Sequence, residues 1–335
     1  MRAGDLGIAL GLLEPGANDA ITDVGGVRVG HTTLVEGTDV RTGVTVVVPP
    51  ELPLFAGCHR LNGNGELTGL EWVRESGFLT TPIGITNTFS VGVVRDAIAA
   101  ESADDDGWAL PVVGETYDGF LNDAKGQHVT AEHAKSALGK AASGTVAEGN
   151  VGGGTGMICH GFKGGIGTAS RRTGDYVLGV LVQANHGRRP RFRVNGVPVG
   201  ERIGERIPTP NYDDAGSIIG IVATDAPLLP HQCDRLAQRA GLGVARTGGL
   251  GENSSGDIFF AFACGNSALG ATVTTLDVAM LPNEQIDPLF AAVVDATEEA
   301  ILNALLAAET MTGRSGHMAH ALEPDLLVEA LATRA

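Results

Sequence analysis

Four apolar runs stand out along the chain: residues 44–48 (VTVVV, closed by Pro49-Pro50), 177–184 (VLGVLVQA), 217–224 (SIIGIVAT) and 258–263 (IFFAFA). Each has strand length, is rich in β-branched or aromatic residues and lacks polar alternation, which predicts strands buried on both faces. Sheets buried on both faces need helices or a second sheet outside them. From Pro230, the apolar positions Cys233, Leu236, Ala237 and Ala240 recur at helical spacing, and Gly241 is placed to end the helix. A stronger helix starts with Asp287 as N-cap and Pro288 as first helical residue. Its apolar stripe runs from Leu289 to Leu305, with Asp295, Glu298 and Asn303 off the stripe. A third helical pattern covers residues 133–142, and residues 104–107 and 188–204 read as loose segments. There is no internal repeat or long linker, so residues 1–335 read as one α/β domain of stacked layers.

Charge narrows the partners. The net charge of −16 comes with no long basic run, which argues against nucleic acid and anionic membranes. No stretch approaches the ~18 apolar residues of a spanning helix. The opening MRAGDLGIALGLLEPG is broken by glycine and ended by Glu14, a poor signal peptide, so a cytoplasmic protein is expected. Cys58, Cys159, Cys233 and Cys264 form no C-x-x-C pair and read as reduced thiols.

The glycine-rich stretch 149–156 (GNVGGGTG) is no Walker loop, since Lys163 follows Phe162 and precedes Gly164. Its glycines instead imply backbone approaching a neighbouring strand or a substrate closely. There is no H-E-x-x-H; His31, His59, His160 and His186 are scattered, and no metal site is expected. Residues 248–262 (GGLGENSSGDIFFAF) are more telling. A glycine-rich approach leads through Asn253-Ser254-Ser255-Gly256-Asp257 into a buried strand. A hydroxyl at the start of such a strand can attack its own preceding carbonyl, and the α-amine that is freed can then serve as the serine's base. The same residues also make an ordinary turn.

Residues 21–34 (ITDVGGVRVGHTTL), 41–46 (RTGVTV), 115–123 (ETYDGFLND), 146–156 (VAEGNVGGGTG), 162–170 (FKGGIGTAS), 179–187 (GVLVQANHG), 223–231 (ATDAPLLPH) and 309–313 (ETMTG) resemble one family along nearly the whole chain. It is the L-aminopeptidase/D-alanine-esterase-amidase family, which includes β-peptidyl aminopeptidases and is similar to nylon-oligomer hydrolases. The resemblance implies a four-layer α/β/β/α sandwich like that of N-terminal-nucleophile hydrolases, with different connectivity. It implies a precursor that cuts itself into residues 1–254 and 255–335. It further implies release of N-terminal amino acids from small peptides, amides or esters, homo-oligomers (commonly tetramers of cleaved pairs), and no metal or organic cofactor.

Carried over residue by residue, the resemblance makes Ser255 the nucleophile, with Ser254 the alternative. Asn185 matches an oxyanion-stabilising asparagine, Tyr117 a pocket tyrosine and Lys163 a lysine of the nylon-hydrolase branch. Glu284 matches the acidic member of a Ser-x-Glu-like pair that contacts the nucleophile, although Pro282 stands where the hydroxyl residue should be. Glu115 is a further carboxylate for the substrate amine. Two other readings stay open, an acyltransferase on the same architecture and a non-catalytic binding homologue.

Overall fold

The apolar runs pair into two sheets in the computed structural model, which describes residues 1–102, 108–211 and 216–332. In chain order the strands are β1 (Arg28–Glu36), β2 (Val40–Val48), β3 (Leu54–Arg60), β4 (Phe78–Leu79), β5 (Ile83–Asn87), β6 (Val112–Thr116), the short β7 (Ile158–Cys159) and β8 (Phe162–Lys163), β9 (Gly165–Thr173), β10 (Tyr176–His186), β11 (Gly216–Thr224) and β12 (Asp257–Ala263). The helices used below are α1 (Leu70–Ser76), α2 (Val91–Ser102), α3 (Ala131–Gly139), α4 (Val199–Ile203), α5 (Pro230–Arg246) and α6 (Asp287–Leu306). All four expected strands are present, as β2, β10, β11 and β12.

One sheet has the order β1-β2-β5-β6 and the other β4-β3-β12-β11-β10-β9. Their inner faces meet through Ile85, Leu181, Ile219, Ile221, Phe260 and Phe262. Helices α2 and α3 cover the outside of the small sheet over Val44, Val46 and Val113. Helices α5 and α6 cover the large sheet over Val180, Val182 and Phe259. The result is the expected α/β/β/α stack. It explains the unbroken run in β12: Phe259 and Ala261 face the helices, while Ile258, Phe260 and Phe262 face the other sheet. Each such phenylalanine contributes about 1.5–3 kcal/mol of burial. Four free cysteines carry no disulfide, and no described helix is long and apolar enough to cross a membrane.

Residues Gly152–Gly154 form a tight turn wedged between the sheets. A Cβ on Gly152 would fall 2.3 Å from Thr45 Oγ1, and one on Gly153 would fall 2.1 Å from Gln183 Oε1. The close approach is therefore to neighbouring strands rather than to a substrate.

Several expectations need correction. Residues 188–204 are packed, not loose: Phe192, Val194 and Val199 are buried, and the Arg189 guanidinium donates to the carbonyls of His160 and Ile207. Residues 104–107 lie outside the described residues. Helix α3 starts at Ala131 and ends at Gly139, short of Ala142. Asp287 lies in the first turn of α6 and makes no capping bond; Ile286 holds the cap position. Asp295, Glu298 and Asn303 are all buried. The N-terminal segment and Arg246 cover that face: Asn303 accepts from Ala3 N at 2.9 Å, and Arg246 meets Asp295 at 2.6 Å.

Helix α5 also runs past Gly241 to Arg246. Gly243 lies flat against α6, where a Cβ would come 2.5 Å from Thr297 Cβ and 2.8 Å from the Val294 carbonyl oxygen. In an open helix, Gly→Ala gains up to ~1 kcal/mol of propensity. Overpacking against a rigid partner costs ~1–3 kcal/mol and should win here. Gly243→Ala is therefore expected to lower the stability measured by urea unfolding; a gain would contradict this packing.

Candidate active site

Strand direction gathers the candidate residues at one end of the sandwich. β11 and β12 run parallel, with Ile218 opposite Asp257, so both strands start there. β10 is antiparallel to β11, so its C-terminal end arrives at the same place, with Asn185 opposite Ser217. β3 ends there too, and Leu61 N donates to the Asp257 carbonyl at 3.0 Å. The small sheet contributes the ends of β5 and β6. Gln183 Nε2 ties the two sheets together by donating to the Thr86 carbonyl and to Thr116 Oγ1, both at 2.9 Å.

At this end the chain turns through Ser255, two residues before β12 rather than at its first position. Ser255 is 1% exposed. Its N–H donates to the Glu252 carbonyl at 2.8 Å, and its hydroxyl donates to Asp257 Oδ1 at 2.5 Å. Gly256 N donates to Ser217 Oγ at 3.1 Å, and Asp257 N donates to Asn62 Oδ1 at 2.5 Å. From the loop after β3, Asn64 Nδ2 donates to the Ser254 carbonyl at 2.7 Å, while Asn64 N reaches the Ser255 carbonyl at 3.3 Å. A Cβ on Gly256 would lie 2.5 Å from Gly65 Cα, so only glycine lets these two backbones stack.

Two carboxylates flank this turn. Burial pushes Asp257 up to about 6, opposed by the Ser255 hydroxyl. Glu115, at the end of β6, is also raised by burial, opposed by the Thr88 hydroxyl and by Glu66 N, which donates at 3.0 Å. A Cβ on Gly65 would meet Glu115 Oε1 at 3.2 Å and Gly256 Cα at 3.0 Å, which sets Glu115 beside the serine turn. A cavity of about 480 Å³, lined in part by Arg60, Gly65, Glu66, Trp72 and Ile258, adjoins it.

Asn185 is 2% exposed. Its Oδ1 accepts from Ile158 N at 2.7 Å, and its Nδ2 donates to the Tyr117 carbonyl at 3.1 Å. The two strand spacings between β10 and β12 put its backbone ~10 Å from that of the serine turn. Tyr117 thus touches Asn185 through its backbone, while its ring lies over Gly119, half-exposed. Ser254 is only partly buried and precedes the buried hydroxyl of Ser255.

Glu284 is a correction. It is exposed, in the single turn Asn283–Gln285. That turn is held to the start of α5, with Arg235 and Gln232 donating to Asn283 Oδ1 and Leu281 N donating to the Pro227 carbonyl. Pro227 lies beyond the C-terminal end of β11, and that nine-residue strand, ~30 Å long, separates Glu284 from Ser255. The carboxylates beside the serine are Asp257 and Glu115 instead.

Lys163 is also placed differently from expectation. It is fully buried, and Nζ donates to the carbonyls of Gly154, Met157 and Gly164 at 3.2, 3.0 and 2.8 Å. Burial pushes its pKa down to about 7. Its donors are used up on the strap that carries Ile158 to Asn185, so it holds the site from behind. The histidines are not all scattered. Cys159, His160 and His186 bring three donor atoms within 4.8 Å of one another. Burial pushes the Cys159 thiol up to about 12 and His160 down to about 4, and the Arg189 guanidinium donates to the His160 carbonyl at 3.1 Å.

Asn62, Asn64 and Ser217 were not foreseen, and Asp257 was read only as part of a turn. The asparagines lie about 190 residues before the serine in a plain Asn-Gly-Asn-Gly turn sequence, which carries no sign of its partner. Ser-x-Asp in residues 255–257 was the one available signal.

Comparison with known proteins fits this geometry. Residues 19–319 match the family model described as "Peptidase family S58". The chain belongs to peptidase family S58. It is 48% identical to beta-peptidyl aminopeptidase BapA of Sphingosinicella microcystinivorans, over 94% of this chain and 88% of that one. Among solved structures it resembles a Burkholderia sp. beta-aminopeptidase, with TM-score 0.93 and 53% identity over the full length of both chains. It also resembles the L-aminopeptidase D-Ala-esterase/amidase of Ochrobactrum anthropi, described as a prototype serine aminopeptidase and a variant of the Ntn hydrolase fold. There the TM-score is 0.91 and the identity 43%, over 98% of each chain. This S58 peptidase is accordingly a hydrolase with aminopeptidase activity.

The buried lysine gives a prediction for the S58 scaffold. Lys163→Met should remove the Nζ donor from three buried carbonyls; those of Gly154 and Met157 keep backbone donors in Met157 N and Gly164 N, so the Gly164 carbonyl is the one left buried and unpaired, at ~1–3 kcal/mol. Thermal or urea unfolding should show a loss of about 1–3 kcal/mol, whereas an exposed, substrate-binding lysine would change stability little.

Proposed function

We propose that this peptidase is made as a precursor that cuts itself before Ser255, and that the freed Ser255 is the nucleophile of an N-terminal-serine aminopeptidase. The observation that carries this is the buried Ser255 hydroxyl on the Asp257 carboxylate, in a turn beside the end of the strand that holds Asn185. In the uncut chain Asp257 takes the hydroxyl proton. Once the bond is cut, the α-amine of Ser255, with a reference pKa of ~7.7–8.0, becomes the base for turnover. The hydroxyl then attacks the substrate carbonyl, the N-terminal residue is held as an ester, and water releases it. Asn185 is the oxyanion donor for this reaction. Glu115 is the carboxylate placed to receive the substrate's ammonium, with Tyr117 at the rim.

Small peptides, amides and esters are the substrate class. The relatives named for β-peptides make N-terminal β-amino acids the first to test. A homo-oligomer is supported by Val273, Leu276, Val278 and Met280, four apolar side chains exposed on one segment.

Self-cleavage should yield fragments of roughly 26 and 8 kDa from the 34.3 kDa chain, without added protease. Because Asp257 must be ionised and burial raises it to about 6, the cut should slow about tenfold per pH unit below that value and level off above it. Ser255→Ala should stay a single inactive chain by mass spectrometry. If Ser254→Ala stays whole while Ser255→Ala still cuts, the nucleophile is Ser254. If both variants cut normally, the mechanism is wrong.

Asn185→Ala should lower kcat by ~10²–10³ with a smaller change in KM, as for other lost oxyanion donors. An unchanged kcat in a folded, cut variant would remove Asn185 from the chemistry.

A further inference from the structure

The self-cut needs an oxyanion donor of its own. The carbonyl attacked in that reaction belongs to Ser254, whereas in turnover it belongs to the substrate. Asn185 lies two strands from the serine turn in the uncut chain, with Oδ1 accepting from Ile158 N and Nδ2 donating to the Tyr117 carbonyl. The Ser254 carbonyl instead receives Asn64 Nδ2 at 2.7 Å. The serine's own contacts complete the set. Its hydroxyl is on Asp257, and its amide N–H is pinned to the Glu252 carbonyl at 2.8 Å. The loop carrying Asn64 is itself fixed by Asn64 N on the Ser255 carbonyl and by Asn62 on Glu252 and Asp257.

We infer that Asn64 is a catalytic residue of maturation, the donor that stabilises the oxyanion formed on the Ser254 carbonyl as Ser255 attacks. This rests on the self-cleavage reading above. The Ser255 oxygen bonds to the Ser254 carbonyl carbon and its proton passes to Asp257. The carbonyl oxygen becomes an oxyanion facing Asn64 Nδ2. The C–N bond then breaks, the proton goes to the leaving nitrogen, and an ester and a free amine result. Water hydrolyses the ester, leaving a carboxylate on Ser254 and restoring the Ser255 hydroxyl. The chain thus uses two asparagines for two carbonyls, Asn64 for its own and Asn185 for the substrate's. Asn64 reaches the bond from an exposed loop. Water can partly replace it there, so its loss should cost less than the ~10²–10³ of a water-excluded donor. An effect of roughly tenfold to a hundredfold is expected.

The test is the rate at which freshly synthesised full-length chain is cut at pH 7.5, followed by mass spectrometry in a cell-free reaction. Wild type, Asn64→Ala and Asn64→Asp are compared, with Ser255→Ala as the uncut reference. Because the Asn64 side chain is exposed, both variants should fold, which circular dichroism and melting would check. The expected result is prompt cutting of the wild type and roughly tenfold to hundredfold slower cutting of both variants at the same bond. Wild type that cuts while both folded variants cut equally fast overturns the role of Asn64 alone. Wild type that never cuts overturns the self-cleavage reading, and this role with it.

Discussion

The site depends on the parallel pairing of β11 and β12. Every other neighbouring pair in the large sheet is antiparallel. A parallel pair cannot be joined by a tight turn; the chain must cross over, and here α5 makes the return. That crossover starts β12 at the end of the sheet where β10 finishes. It is why Ser255 and Asn185, seventy residues apart in sequence, share one mouth of the sandwich. It is also why Glu284, which precedes α6 at the opposite end, cannot reach the serine.

Several charged side chains of the fold are paired, some of them fully buried. Lys163 has three carbonyls, Arg171 has Glu299 and the Leu10 carbonyl, and Arg246 has Asp295 and Glu298. Buried pairs of this kind add little net stability, but losing one partner is costly, so they fix one arrangement against others. The rigidity matters chemically. A serine that attacks its own preceding carbonyl must be held in a narrow geometry. Here the Gly65–Gly256 backbone stack and the asparagines of residues 62 and 64 hold it.

The four core strands were readable because continuous apolar runs have one explanation in a layered fold, burial on both faces. β9 was not read, because it buries Ser170 and Arg171 among its inward positions and so breaks the apolar signal. The acidic residues of α6 misled for the same reason: a helix packed on nearly all sides pairs its polar residues internally, which periodicity alone cannot show. In the site, Ser255 and Asn185 lie in long, distinctive segments, and the strand ends bring both to the same end of the sandwich. Asn64 lies in an unremarkable turn and acquires its partner only through the fold. Glu284 failed because one acidic residue before a helix was matched without the hydroxyl that should accompany it.

The central claim is that the Ser255 hydroxyl is the acyl carrier in turnover. The most direct measurement is to mix the purified enzyme with a p-nitrophenyl ester of an N-terminally free amino acid and quench it in acid within the first turnovers. The fragments are then weighed and digested to locate the added acyl group. The account predicts a small fragment beginning at Ser255 that carries one acyl group as an ester on that residue. An adduct on any other residue, or an active enzyme whose chain remains whole, would contradict it.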